Sequence, residues 1–209
     1  MPVRVVEHPL IAHKMTNLRD RSTDSKLFRE IVAELTLLLA YEATRDLATR
    51  PQRITTPITE TDGTVLANDD FVIAPILRAG LGMLPGLHTL LPSARVSHLG
   101  LRRDEVTKNP ETYYYNYPDH LSNATVFVLD PMLATAGSLC AGIDLLKANK
   151  PERIIAICLI SSPEGAARIE KTHPDVNVFT GAMDERLNGQ AFIVPGLGDA
   201  GDRLFGTKI

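Results

Sequence analysis

Val126-Phe127-Val128-Leu129-Asp130-Pro131-Met132-Leu133-Ala134-Thr135-Ala136-Gly137-Ser138 joins an unbroken apolar run to an acid and then to a turn of small residues. The four apolar residues are β-formers without polar interruption, the pattern of a parallel strand covered on both faces. Asp130 ends that burial. Thr135 to Ser138 carry little bulk, so their N–H groups can approach a ligand where the next helix, Leu139 to Lys147, is expected to begin. A helix start of this kind binds phosphate. A carboxylate at the end of a central strand lies where open α/β sheets hold ligands, and as an acceptor it suits a pair of vicinal hydroxyls. Phosphate and diol together suggest a ribose phosphate. The alternative is an ordinary strand-to-helix turn with Ser138 as N-cap.

Outward from this stretch, strands alternate with helices. Strands are expected at Phe71 to Ile76, Arg95 to Leu101, Thr125 to Leu129, Arg153 to Ile160 and Asn177 to Thr180. Helices are expected around Leu81 to Leu91, at Leu139 to Lys147, and at Pro163 to His173 behind a Ser162 N-cap. Ser25 to Thr49 has helical apolar spacing, with Asp24 or Ser25 as N-cap. Alternating Ile and Thr from Arg53 to Leu66 predict a hairpin turning at Asp62-Gly63, at an edge of the main sheet. The expected fold is α/β, a mainly parallel sheet with helices on both faces, in one domain over 1–209. Residues 102–118, with Tyr113, Tyr114, Tyr115 and Tyr117, break the rhythm and predict a long mobile loop or ribbon, of the kind used as a lid.

Composition narrows the function. A net charge of −3 over 209 residues gives no electrostatic footprint for nucleic acid or an anionic membrane. The N-terminus lacks the basic start and apolar core of a signal peptide, and no apolar run is long enough to span a bilayer, so a cytoplasmic location is expected. Cys140 and Cys158 fit buried packing better than a disulfide framework. The six histidines show no metal-ligand spacing. Arg78, in Pro75-Ile-Leu-Arg-Ala-Gly80, follows a strand and favours an anion near Asp130. Arg102-Arg103 follows another strand, where a solvated pair is the alternative. Gly196-Leu-Gly198-Asp-Ala-Gly201 is literally G-x-G-x-x-G, but too little chain follows it for a dinucleotide fold. Its glycines would let backbone close around a flat ligand, or form a terminal loop packed on the sheet.

Four segments in order, Pro75 to Gly82, Leu101 to Glu105, Asp130 to Ser138 and Ile193 to Asp202, resemble the phosphoribosyltransferases, and among them the uracil phosphoribosyltransferases, over nearly the whole chain. Pro131 stands where many phosphoribosyltransferases carry a second acid. The resemblance implies a type I phosphoribosyltransferase fold with a C-terminal hood over the base. It implies transfer of phosphoribosyl from phosphoribosyl diphosphate (PRPP) to uracil, giving UMP and diphosphate in pyrimidine salvage. By the same resemblance, Asp130, Pro131, Met132, Leu133, Ala134, Thr135, Ala136, Gly137 and Ser138 bind the ribose and its phosphate. Arg78 and Arg103 meet the diphosphate. Ile193, Gly198, Asp199 and Ala200 bind uracil, with Asp199 also near PRPP; Asp130, Arg78, Arg103 and Asp199 form the catalytic set. Mg²⁺ is expected as cofactor, held by substrate and water rather than by a protein cage. GTP is a candidate effector, a homo-oligomer is the expected assembly, and nucleic acid and membrane are not expected partners. An RNA-binding regulator on the same fold and an enzyme for a purine or orotate are the competing readings. The net charge opposes the first and the tail opposes the second.

Overall fold

The computed structural model describes residues 3–103, 110–116 and 120–207, with only the main chain for Arg103 and Pro110. The described residues form strands β1 Val3–Val5, β2 Thr49–Thr55, β3 Glu60–Leu66, β4 Phe71–Leu77, β5 Arg95–Val96, β6 His98–Arg103, β7 Pro110–Asn116, β8 Thr125–Leu129, β9 Met132–Leu133, β10 Arg153–Ser161, β11 Asn177–Met183, β12 Arg186–Leu187 and β13 Ile193–Val194. The helices are α1 Pro9–Arg19, α2 Ser25–Ala43, α3 Leu84–Leu90, α4 Gly137–Lys147, α5 Pro163–Thr172 and α6 Ala200–Phe205, with a 3₁₀ turn at Ala79–Gly82.

The main sheet runs β1-β11-β10-β8-β4-β6-β7, parallel throughout except for the antiparallel pair β6·β7. Every residue of β8 is buried, as are all but one at an end of β4 and of β10. Successive side chains nevertheless divide between two cores. Phe71, Ile73, Phe127, Leu129, Ile155 and Ile157 face α1, α2, α3 and α6, whereas Val72, Ala74, Val126, Val128, Ile154 and Ala156 face α4 and α5. This two-sided burial explains why the strands read as continuous apolar runs.

The chain leaves β4 through α3 for β5 and β6 on one side, and leaves β8 through α4 for β10 on the other. Adjacent strands β4 and β8 therefore form a topological switch point, where their carboxyl ends open a crevice. Arg78 and Asp130 stand just beyond those ends, since Pro75 pairs with Leu129.

Several elements differ from expectation. Helix α2 ends at Ala43 rather than near Thr49, because the Thr44 hydroxyl turns back onto the Ala40 and Tyr41 carbonyls and Thr49 enters a strand. The predicted hairpin exists but turns at residues 56–59, where Thr56 Oγ1 accepts from the Ile58 and Thr59 amides. Asp62 and Gly63 lie inside β3, opposite Arg53 and Gln52. The hairpin is also not an edge of the main sheet: among the described residues β2 and β3 pair only with each other. Part of 102–118 is a ribbon, β7 on β6; residues 104–109 and 117–118, the rest of the expected lid, lie outside the described residues.

Candidate active site

The turn after β8 separates into two parts with different work. Pro131 accepts from the Leu159 and Ile160 amides, and Met132 and Leu133 form β9 beside β10. Leu133 is buried in the core and its carbonyl accepts from the Ser162 amide. These contacts pin the middle of the segment to the sheet. Beyond them, Ala136 takes the left-handed conformation at φ 59° and is the N-cap of α4, with no side chain closing the helix start. Ser138 is exposed in the first turn rather than serving as the cap. The open N-terminus of an eleven-residue helix thus lies a few residues from Asp130, leaving first-turn N–H groups for an anion. Helix α5 supports the turn from behind: Ser162 Oγ donates to the Ala134 carbonyl at 2.7 Å and Arg168 Nη1 to the Thr135 carbonyl at 3.2 Å.

Asp130 is held at the crevice floor, and desolvation raises its pKa to about 7, opposed by a hydrogen bond from the Met132 amide. Burial, with Asp130 nearby, pushes the Cys158 thiol well up, so this sulfur stays protonated and is no nucleophile. The turn carrying Arg78 lies directly on the end of β8, because a Cβ on Gly80 would stand 2.5 Å from the Leu129 carbonyl oxygen. Arg78 is exposed and follows a cis peptide after Leu77. Arg103 ends β6, the next strand beyond β4, and its side chain lies outside the described residues.

The tail approaches from the opposite wall. Asp199 is the N-cap of α6, accepting from the Asp202 amide at 2.9 Å, and Asp202 Oδ1 lies 3.9 Å from Arg78 Nη2. A Cβ on Gly201 would lie 3.9 Å from that of Ala79, so α6 and the Arg78 turn are in contact. Gly198 at φ 80° swings the chain into this position. Ile193 and Ala200 are buried. Arg78, Asp130, the start of α4 and the Gly198–Ala200 segment therefore share one end of the sheet. Asp130, Asp199 and Asp202 supply hard oxygen donors there, yet among the described residues no three acids, histidines or cysteines cluster to cage a metal. Such a donor set fits a magnesium ion carried mainly by substrate oxygens and water.

Residues 5–207 match the family model described as uracil phosphoribosyltransferase. The chain belongs to the uracil phosphoribosyltransferase family. It is 54% identical over 210 residues to a uracil phosphoribosyltransferase of Beutenbergia cavernae, and 50% identical over 206 residues to one of Dictyoglomus turgidum. Each alignment covers 99% of this chain and 100% of the relative. A solved structure described as the AQ2163 protein from Aquifex aeolicus superposes with a TM-score of 0.94 at 37% identity, covering 99% of both chains. An adenine phosphoribosyltransferase of Leishmania donovani, at TM-score 0.59 and 12% identity over 95% of this chain and 88% of that one, shares the fold.

Sequence reasoning about this uracil phosphoribosyltransferase family member passed over several residues. Arg19 pairs with buried Asp184 and donates to the Gly196 carbonyl. Arg203 donates to the carbonyls of Leu18, Asp20 and Leu197 and stacks over Phe28 at 4.3 Å. Asp202 stands beside Arg78. Asp184 follows β11, whose Asn177, Thr180 and Gly181 interrupt its apolar run, so it lacks the signal that marks Asp130.

Proposed function

We infer that the protein transfers the phosphoribosyl group of PRPP to uracil, releasing diphosphate and forming UMP in pyrimidine salvage. The match to uracil phosphoribosyltransferases across residues 5–207 carries this reading. The arrangement at the switch point supports it with a phosphate-binding helix start, a carboxylate, an exposed arginine and a main-chain loop on one crevice.

In the reaction the C1–oxygen bond to diphosphate breaks and the C1–N1 bond to uracil forms, with loss of the N1 proton. Positive charge builds on the ribose and negative charge on the leaving group, so fixed charges and dipoles do most of the work. Ionised Asp130 accepts from the ribose hydroxyls and stands near the cationic sugar. The Thr135–Ser138 amides hold the 5′-phosphate. Arg78 and Arg103 take the diphosphate, Arg103 by resemblance alone. Ile193 and the Gly198–Ala200 main chain meet the carbonyl, N–H, carbonyl edge of uracil; a base with another pattern leaves buried groups unpaired. Magnesium, when bound, neutralises charge on the diphosphate. Regulation by GTP rests on the resemblance and is assigned to no residue. Among the described residues no helix is long and apolar enough to cross a membrane, and cytoplasmic chemistry on small molecules fits the reading.

A base panel tests it. Protein, PRPP and Mg²⁺ are incubated with uracil, cytosine, orotate or hypoxanthine, and diphosphate is measured. Release with uracil and at most trace release with the others is expected; no release with uracil overturns the assignment.

The chain is also read as a homo-oligomer working as one catalytic domain per copy. The hairpin β2·β3 supports this, since every residue of β2 is exposed and Ile58 at its tip is 94% exposed. An isolated two-stranded hairpin is marginal in water, so this arm calls for a covering surface, which a second copy supplies. Sedimentation is expected to give at least twice the chain mass, and Ile58→Asp to shift the protein toward monomer. A wild-type mass of one chain removes this reading.

A further inference from the structure

The base-side loop is fixed by an ion pair between α1 and the end of β11, at the edge of a cavity that Arg19 lines together with Gly198 and Asp199. Arg19, in the last turn of α1, places Nη1 2.8 Å from Asp184 Oδ2 and 2.7 Å from the Gly196 carbonyl, while Nη2 takes the other carboxylate oxygen. Asp184 Oδ2 also accepts from the Gly196 amide at 2.8 Å. One guanidinium–carboxylate fork thus holds both the donor and the acceptor of Gly196. That residue has φ +67°, and a Cβ on it would lie 2.1 Å from the Ile193 carbonyl oxygen, so the chain makes a tight, glycine-dependent bend where the fork grips it. The next carbonyl, of Leu197, accepts from Arg203 at 2.9 Å, and Arg203 in turn holds the Leu18 carbonyl next to Arg19. Two consecutive carbonyls are drawn toward α1, and the chain that follows, Gly198–Ala200, is delivered beside Arg78.

The pair is largely shielded, with side chains 23% and 4% exposed. Shielded pairs add little net stability over apolar packing, because desolvation offsets attraction. Bidentate geometry adds directional precision, which only arginine provides here. A loop that reads a base with main-chain groups needs such precision, since rotating any peptide moves every donor and acceptor after it.

Resting on the functional reading above, we propose that Arg19 and Asp184 are positioning residues for the base: they lock the Gly196 turn and so set the alignment and selectivity of the Ile193–Ala200 main chain. Their hydrogen bonds go to each other and to the Gly196 main chain, so in this reading they act through the loop. Lysine at position 19 keeps the charge but offers a single point in place of a fork.

The test varies uracil and PRPP separately for wild type, Arg19→Lys and Arg19→Ala, with turnover of cytosine measured beside uracil. The KM for uracil is expected to rise about 10-fold in R19K and about 100-fold in R19A, the effects of a misplacement approaching 1 Å. The KM for PRPP is expected to change at least about 5-fold less than that for uracil, Asp199 being the one loop residue assigned near PRPP, and the preference for uracil over cytosine shrinks, because a displaced loop no longer penalises the wrong edge. Arg153→Ala removes an equally bidentate pair, Arg153–Asp46, at the opposite end of the sheet and is expected to leave both KM values unchanged. Parallel changes in the two KM values, or no change in either, overturn the positioning role. Should the alanine variant not fold, the lysine variant decides on the same criteria. A wild-type protein that does not use uracil overturns the functional reading and this inference with it; an active wild type with unselective losses overturns this inference alone.

Discussion

Asp130→Asn is expected to cut turnover about 10²–10³-fold while making the free protein more stable at pH 8. Both effects follow from one carboxyl group. Its pKa stands at about 7 in the fold against an ordinary 3.8, because burial penalises the charge. The native state therefore binds this proton more tightly than the unfolded chain. Between pH 4 and pH 7 the native state carries more protons, so this group's contribution to stability falls as pH rises. It is fully present below 3.8 and lost once pH passes 7. The loss is of order 2–4 kcal/mol. Asparagine is nearly isosteric, still accepts from the Met132 amide and has no charge to desolvate. A melting-temperature gain of about 4–16 °C over wild type at pH 8, vanishing near pH 4, is the expected readout. Activity moves oppositely, since an amide does not replace an acceptor-only group between two hydroxyls. Equal melting temperatures at pH 8 would show that the carboxylate is not held under strain; unchanged turnover would remove it from the site.

Gly80→Ala is expected to lower both stability and activity. The new methyl would stand 2.5 Å from the Leu129 carbonyl oxygen and 3.2 Å from the main chain of Pro75. These are backbone atoms of two central strands and do not yield as a side-chain tip would. The turn must instead lift from the end of β8, carrying Arg78 with it. Overpacking of this kind costs about 1–3 kcal/mol, and a displacement near 1 Å costs about 10²-fold in rate. Thermal melting with PRPP and uracil kinetics checks both. Gly189→Ala is the matched control, since a Cβ there meets nothing within 4 Å. A Gly80 variant indistinguishable from that control would contradict the close seating of the Arg78 turn.

The pairing of lost activity with gained stability in one variant, and with lost stability in the other, separates chemistry from scaffold. A fold that buries a carboxyl at the switch point tolerates a destabilising charge where the ligand needs it.

What could be read from the sequence, and what could not, follows from the range of the interactions. Strand β8 was legible to the residue, because a two-sided burial leaves an uninterrupted apolar run and Asp130 ends it. The start of α4 was only half legible. Ser138 fits an N-cap by type, yet the chain reaches the helix through a left-handed Ala136, and no composition rule announces that. The hairpin was legible as an element but not in register: alternating Ile and Thr fit more than one pairing, and the turn was decided by the Thr56 hydroxyl rather than by Asp62-Gly63. Helix α1 and its clamp were illegible. Arg19 and Asp184 are 165 residues apart, and nothing local to either marks the other. The same holds for Asp202 beside Arg78, which only the packing of α6 against the 3₁₀ turn brings together.

In the proposed function the ends of β4 and β8 hold the sugar phosphate while the tail holds the base. A crystal structure of the protein with UMP tests it most directly. The phosphate is expected on the Thr135–Ser138 amides, the ribose hydroxyls on Asp130, and the uracil ring against Ile193 and the Gly198–Ala200 main chain. A nucleotide bound elsewhere, or bound here with its base turned away from that loop, would contradict it.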